Sequence, residues 1–427
     1  MNILYRLLMT GLLLLPVAGM AVAEPLSLEQ AEAEVLAGHP ALAGQRARAE
    51  ASSARPDQAG SLPDPRLSLN MMNVPLDSFD LGQEPMTQIQ LGVSQALPYP
   101  GKLERKRRSA EHRARAAGED VEALRLELLR QVRDGWWRLV YLDRALLILD
   151  QNRVLLRQFL SVAQTQYEVG KGLQQDVLLA QLELSRLKEQ ELELLGRRRK
   201  AEVALNRLLD RPEGQAVELP EDIDESLPEV ADEAELVAMI EDHPRLRRRL
   251  EEMEAARQRL ELARLDLLPD FALGASYGLR QGRNPDGSDR SDFGSIMLSM
   301  NLPLYADSKQ RRAIDQRQSE MDAVRHALRD VRAELEKEVG QAYSDYLSAR
   351  EQVVLYRRGI IPQSRQTVAS MLAGYRASKV DFLNLVRAQL TLYQYETQYW
   401  RSLSEARQAL AWLNAAVGRD IAQGEKP

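Results

Sequence analysis

Chemistry in this chain would have to start from four histidines, no cysteine and a scatter of methionines. None of these residues is well placed for it. His39 and His243 each precede a proline, as His39-Pro40 and His243-Pro244, at the start of a helical pattern, where proline fits the first turn. That position marks them as structural. His112 and His326 have no second histidine or acid at a chelating spacing that stands out. The lack of cysteine removes disulfides, thiolate metal sites and a cysteine nucleophile, and no His/Cys cluster supports a catalytic metal. There is no nucleophile–base pair and no phosphate loop on which an active site could be built. Met71, Met72 and Met86 have sulfur suited to soft cations such as copper(I) or silver. Methionine fills apolar surface as readily, and Met71 falls on an apolar face. The expectation is a protein that is not an enzyme and needs no cofactor and no bound metal.

The spacing that stands out belongs to a device rather than a catalyst, and it occurs twice. Tyr167 to Leu182 reads YEVGKGLQQDVLLAQL, and Tyr375 to Leu390 reads YRASKVDFLNLVRAQL. Without a gap, Tyr167 aligns with Tyr375, Gly170 with Ser378, and Ala180-Gln181-Leu182 with Ala388-Gln389-Leu390. Each copy lies between two long helical patterns, so each is the tip of a helical hairpin. Internal repeats decide the architecture. Gly170 and Gly172 permit a tight turn, and a tip that opens and closes also needs polar contacts that can be exchanged. Ordinary hairpin capping explains the glycines equally well.

The elements that hold these tips repeat too. Residues 1–23 read as a secretory signal peptide: Arg6, an apolar run from Leu7 to Val22, and the small-x-small site Ala21-Val22-Ala23. The first repeat, residues 24–211, opens with short helices around Ser27-Leu28-Glu29-Gln30 and His39-Pro40, stopped by Leu62-Pro63-Asp64-Pro65. The period then becomes two. In 66–73, Leu67, Leu69 and Met71 alternate with Ser68 and Asn70, and in 87–97, Ile89, Leu91 and Val93 alternate with small and polar residues. Two such runs joined by a loop make a β-hairpin. A helical hairpin over about 103–209 follows, its first helix about 95 Å long. Residues 212–235 form an acidic, proline-bearing linker. The second repeat, 236–418, has strands at about 271–280 and 293–302 and a helical hairpin at about 308–417, with a helix expected from about Ser308 to Leu372. Residues 419–427 are a tail. Trp136 and Trp137 are expected in packing. Arg105 to Arg108 is either a solvated face or a contact with lipid headgroups.

The fold class is thus mostly α with a small β part, a twofold repeat of long coiled-coil hairpins and β-hairpins. Strands of about nine to eleven residues cross a bilayer when tilted, and alternation of apolar with small or polar residues is the pattern of an outer-membrane barrel. Later in the chain no stretch is long and apolar enough for a transmembrane helix. Four strands cannot close a barrel, and an open edge is not allowed in lipid. Several chains must therefore share one barrel, and three would supply twelve strands. The mildly negative net charge of -6 argues against a nucleic-acid partner.

This layout, with the HP and LPDP punctuation and the paired Y-x-x-(G/S) tips, resembles the TolC family of outer-membrane efflux factors. Asp64 to Leu67, Met71 to Pro75, Gln83 to Thr87, Ser94-Gln95 and Pro98 to Lys102 resemble its heavy-metal-efflux branch, CzcC/CusC-like. The resemblance implies a homotrimer in the outer membrane with helices extending into the periplasm as a tunnel. It implies docking to a periplasmic adaptor and a resistance–nodulation–division pump, contact with outer-membrane lipid, and export of heavy-metal cations. A duct for drugs or other small molecules, or a periplasmic adaptor, are the competing readings. The gating and docking residues it implies are Tyr167, Gly170, Gly172, Asp176, Tyr375, Ser378, Asn384 and Arg387. Asp176 and Tyr375 match a tip acid and a tip tyrosine used in closure contacts. Asn384 and Arg387 stand where family members place acids, which speaks against a carboxylate ring at that constriction. The lack of cysteine also excludes the lipid-modified N-terminal cysteine of some relatives, leaving the barrel alone to hold the protein in the membrane.

Overall fold

The structure is a computed structural model and describes residues 25–421. The signal peptide assigned to 1–23 and the end of the tail lie outside the described residues. Each repeat opens with capped short helices. Helix α1 (Leu28–Gly38) is held by a capping box in which Ser27 and Gln30 exchange side-chain and backbone hydrogen bonds. Helix α2 (Pro40–Ser53) is capped by His39, whose Nδ1 accepts from the Ala41 N–H at 3.2 Å, and α3 (Arg55–Gly60) follows.

A four-stranded antiparallel sheet then combines both repeats in the order β1-β2-β3-β4, with β1 (Arg66–Met72), β2 (Gln88–Leu97), β3 (Phe271–Leu279) and β4 (Phe293–Met300). Strands β1 and β4 are shorter than the nine to eleven residues expected, at 7 and 8 residues. Each is an edge strand with one partner. The register aligns the alternation across all four strands. Leu67, Val93, Ala275 and Ile296 form one row, and Ser68, Gly92, Ser276 and Ser295 the next, facing the other way. Among the described residues nothing covers the apolar rows: Leu67 is 72% and Ile296 85% exposed. On the opposite face Gln90 Nε2 donates to Ser276 Oγ at 2.7 Å.

From the sheet, α4 (Lys102–Glu168) runs unbroken for 67 residues, about 100 Å at 1.5 Å per residue, and α5 (Gln174–Leu208) returns beside it. The second repeat has α6 (Glu233–Met239), α7 (Pro244–Leu265), α8 (Gln310–Leu355), α9 (Ile361–Arg376) and α10 (Phe382–Val417). The helix expected from about Ser308 to Leu372 runs from Gln310 to Arg376 with one change of period inside it. A five-residue π turn, Tyr356–Ile360, separates α8 from α9. Pro362 has no N–H for the carbonyl four residues back and its ring crowds that carbonyl, and the wider turn before it relieves both. α4 contains no proline and stays continuous.

The acidic segment between the repeats is a strap rather than a free join. Val217 N–H donates to Glu202 at 2.9 Å, Arg407 to the Asp224 carbonyl at 3.0 Å, Tyr399 OH to Glu225 and Tyr346 OH to the Pro228 carbonyl. Beneath it lies the largest core, in which Trp136, Trp137, Leu139, Leu205 and Leu403 are buried. Of the basic run, half-buried Arg105 donates to Gln258 at 2.9 Å, while Lys106, Arg107 and Arg108 are exposed, the two arginines paired with Glu104 on the same helix. No helix among the described residues is long and apolar enough to cross a membrane.

His243 joins two helix ends. Its Nδ1 accepts from the Arg245 N–H at 3.0 Å, capping α7, so its proton sits on Nε2, which donates to the Ala415 carbonyl in the last turn of α10 at 3.0 Å. The cap on Arg245 requires a bare Nδ1 and so a neutral ring, and burial lowers its pKa from 6.5 to about 4 although the Ala415 carbonyl pulls the other way. The unfolded chain therefore binds a proton in a window where the folded one does not. Stability is full above about pH 6.5 and falls as pH drops towards 4, by up to about 3 kcal/mol. Thermal unfolding of purified protein across pH 4 to 7 checks this. His243→Asn, which keeps a capping side chain but cannot titrate, should flatten that part of the profile.

Candidate functional site

Both tips end in the same backbone device. Gly170 and Ser378 take the left-handed conformation, with φ of 71° and 54°. In the first tip Gly170 N–H donates to the Tyr167 carbonyl at 3.0 Å and Lys171 N–H to Gln166 at 2.8 Å. In the second, Ser378 N–H donates to Tyr375 at 2.9 Å and Lys379 N–H to Gly374 at 2.9 Å. This is a Schellman cap on two successive hairpins. Serine carries a Cβ into a region that costs L-residues about 1 kcal/mol, so the second tip is the more strained.

Gly172 matters for space rather than for φ. A Cβ there would lie 2.9 Å from Gln166 Cβ and 3.0 Å from the Tyr167 nitrogen. The second tip fills the same space the other way round. Gly374 stands where the first has Gln166, and Val380 where it has Gly172. A Cβ on Gly374 would meet Val380 Cγ2 at 2.6 Å. Sequence reasoning missed Gly374, although counting back from the aligned tyrosines would have found it.

Between the tips lies a cleft of about 410 Å³, lined by Lys171, Gly172, Asp176, Tyr375, Ser378 and Asn384 among others. Tyr375 OH reaches Asp176 Oδ2 at 3.5 Å, and its ring lies 5.1 Å from that of Phe382. Burial raises the Asp176 carboxyl above its ordinary value and, with the Asp176 charge, pushes Tyr375 up to about 12. The hydroxyl thus stays a donor and the carboxylate its acceptor. The structure gathers Gly172, Asp176, Tyr375, Ser378 and Asn384 around this cleft. Tyr167, 48% exposed, Gly170 and the exposed Arg387 lie outside its lining. Asp381 takes the N-cap position of α10, the counterpart of Leu173 before α5.

The sequence profile described as outer membrane efflux protein matches residues 33–211 and 236–419. The chain belongs to the outer membrane efflux protein family. A search of curated proteins gives no match. Among solved structures the chain is similar to the outer-membrane channel OprN, at 20% identity and a TM-score of 0.76 over 92% of this chain and 89% of that one. It is similar to the outer membrane protein VceC from Vibrio cholerae, at 16% identity and 0.78 over 92% and 96%. It is similar to CusC, at 15% identity and 0.78 over 92% of each chain. At these identities the likeness is one of fold: a mostly helical chain with a small antiparallel sheet. Family membership makes this chain an outer-membrane efflux protein.

Above the tip cleft of this efflux protein the sequence also hid a buried polar pair. Asn152 on α4 and Gln389 on α10 are each 3% exposed, and Gln389 Nε2 donates to Asn152 Oδ1 at 2.8 Å. Asn152 Nδ2 and Gln389 Oε1 have no partner among the described residues. The signal was present, since Gln389 is the polar residue of the repeated Ala-Gln-Leu, but its burial depends on which helix faces it.

The volume swap at the tips predicts an asymmetric rescue. Gly374→Ala should destabilise the second tip by about 1–3 kcal/mol through overpacking against Val380, and adding Val380→Ala should return most of the loss. Hydrogen exchange of the tip amides, or protease cutting between α9 and α10, reads both variants.

Proposed function

We propose that the protein is the exit duct of a tripartite efflux assembly and that it passes heavy-metal cations. The observation that carries the duct reading is the sheet. Among the described residues its one apolar face is bare and both edges are unpaired, and α4, about 100 Å long, continues from it. Backbone groups cannot stay unpaired in hydrocarbon, so three copies would close one barrel, with the apolar rows against outer-membrane lipid and the Ser68–Gly92–Ser276–Ser295 rows lining the lumen. The helices would form a periplasmic tunnel whose tips meet an adaptor protein and a resistance–nodulation–division pump. Support for metal comes from the sequence between Asp64 and Lys102, which resembles the metal-efflux branch.

The tips serve as the gate in this reading. Asp176 and Tyr375 tie the first hairpin to the second, and the residues around their cleft are those an adaptor would displace. Tyr375→Phe keeps the ring in its cluster and removes the hydroxyl. Purified channel carrying it should conduct several-fold more than the parent in planar bilayers, and equal conductance would take this contact out of gating. For the substrate, a host lacking the gene should become sensitive to salts of copper, silver, zinc, cobalt or cadmium, with resistance restored by the intact gene. Sensitivity to drugs and detergents alone would leave the duct and overturn the metal assignment.

A further inference from the structure

One polar layer interrupts the seam between α4 and α10. Asn152 and Gln389 share a single hydrogen bond at 2.8 Å, and each is 3% exposed. Two amides set edge to edge can share two bonds, one in each direction. Here Asn152 Nδ2, a donor, and Gln389 Oε1, an acceptor, are left over, both buried and without a partner among the described residues. A buried amide that misses a bond has given up its hydration without return. One helical turn away on either side the seam is apolar. Towards the strap Ile148 and Leu149 cluster with Tyr393, and towards the tip Leu156 clusters with Leu385 and Val386. An apolar pair at this layer would join the two clusters into one. The amides therefore leave the seam weaker than its neighbours would allow.

The layer also marks a boundary. Above it α10 is fastened to α4: Ser404 Oγ donates to the Trp137 carbonyl at 2.8 Å, the Arg407 guanidinium lies 5.0 Å from the Trp137 ring, and that of Arg144 lies 4.7 Å from the Trp400 ring. Below Trp400, the Asn152–Gln389 bond is the only hydrogen bond or ion pair between α4 and α10 among the described residues. The other helix of the second hairpin changes at nearly the same height. Tyr356, in the π turn, has its ring 6.1 Å from that of Tyr395, and Gln389 is about 9 Å nearer the tip by helix rise. Just past the π turn Arg365 pairs with Glu396 at 2.7 Å and keeps α9 with α10. The two helices of the second hairpin thus stay together over the stretch where their hold on α4 is weakest.

We infer that the Asn152–Gln389 layer is the parting line of the second hairpin: residues 361–389 leave α4 as one piece, and the helices above stay in place. Amides suit such a line. Leucines parted there would carry apolar surface into water. Parted amides exchange one bond for water, and the two leftover groups gain the partners they lack. The parting line stands on the packing of α4 and α10. Its use at the tips rests on the gate reading given above.

Hydrogen exchange of the purified, assembled protein reads the line directly. In the parent, α10 amides from Phe382 to Gln389 should exchange several-fold faster than those from Ala406 to Leu413. Replacing both amides, as Asn152→Leu with Gln389→Met, should slow the lower group several-fold. Gln389→Met alone leaves Asn152 buried without a partner and should speed it. Asn152→Ala with Gln389→Met removes the layer with less added volume and takes the place of the first pair if that pair does not assemble. Lower amides as slow as the upper ones in the parent, or unchanged in the double variant, would overturn the parting line. In planar bilayers the double variant combined with Tyr375→Phe should conduct several-fold less than Tyr375→Phe alone. Equal conductance of these two, with Tyr375→Phe above the parent, would take the layer out of the gate. If Tyr375→Phe itself conducts like the parent, the gate reading falls and the exchange boundary alone decides the parting line.

Discussion

A β-sheet cannot end in hydrocarbon, because every unpaired backbone N–H and C=O there costs several kcal/mol. This chain brings its two hairpins together into one sheet and then stops, with β1 and β4 open. The helices inherit the same requirement. α4 and α8 leave the strands and α7 enters them, so the spacing of the tips is set from the sheet downward. The strap of residues 212–232 holds the helices of both repeats together midway, with hydrogen bonds to α5, α8 and α10.

Much of this was legible in the sequence because two periods mark it. Alternation gave the strands, and their faces turned out as Leu67, Leu69 and Met71 indicated, since one buried or lipid-facing side forces the pattern. The tips were legible because the chain repeats them, so Tyr167 could be set against Tyr375. What was not legible depended on contacts between elements. The strap looks like a loop by composition, yet its carbonyls and carboxylates find tyrosines and arginines far away in sequence. Arg105 looks free until Gln258 of α7 is placed beside it. Pro362 was visible, but its consequence, a π turn of five residues, required knowing that packing holds the helix together on both sides.

The repeat is approximate, and its departures are informative. Gly170 and Ser378 solve the same turn, one without strain and one with it. Gln166 with Gly172, and Gly374 with Val380, fill the same space with the large residue on opposite sides. Such swaps conserve volume, which is what tight packing demands. His39 and His243 keep the same capping role, yet His39 meets the end of α1 through its backbone N–H whereas the His243 side chain reaches the end of α10.

The π turn between α8 and α9 gives the protomer two limbs of unequal stiffness. α4 passes a load along its whole length through regular hydrogen bonds, whereas the second hairpin passes it through one widened turn just below the strap. A sideways push at the tips is therefore absorbed first at Tyr356–Ile360. Copies set around a common axis would alternate rigid and compliant struts, a ring that yields at every second member while the others keep its shape.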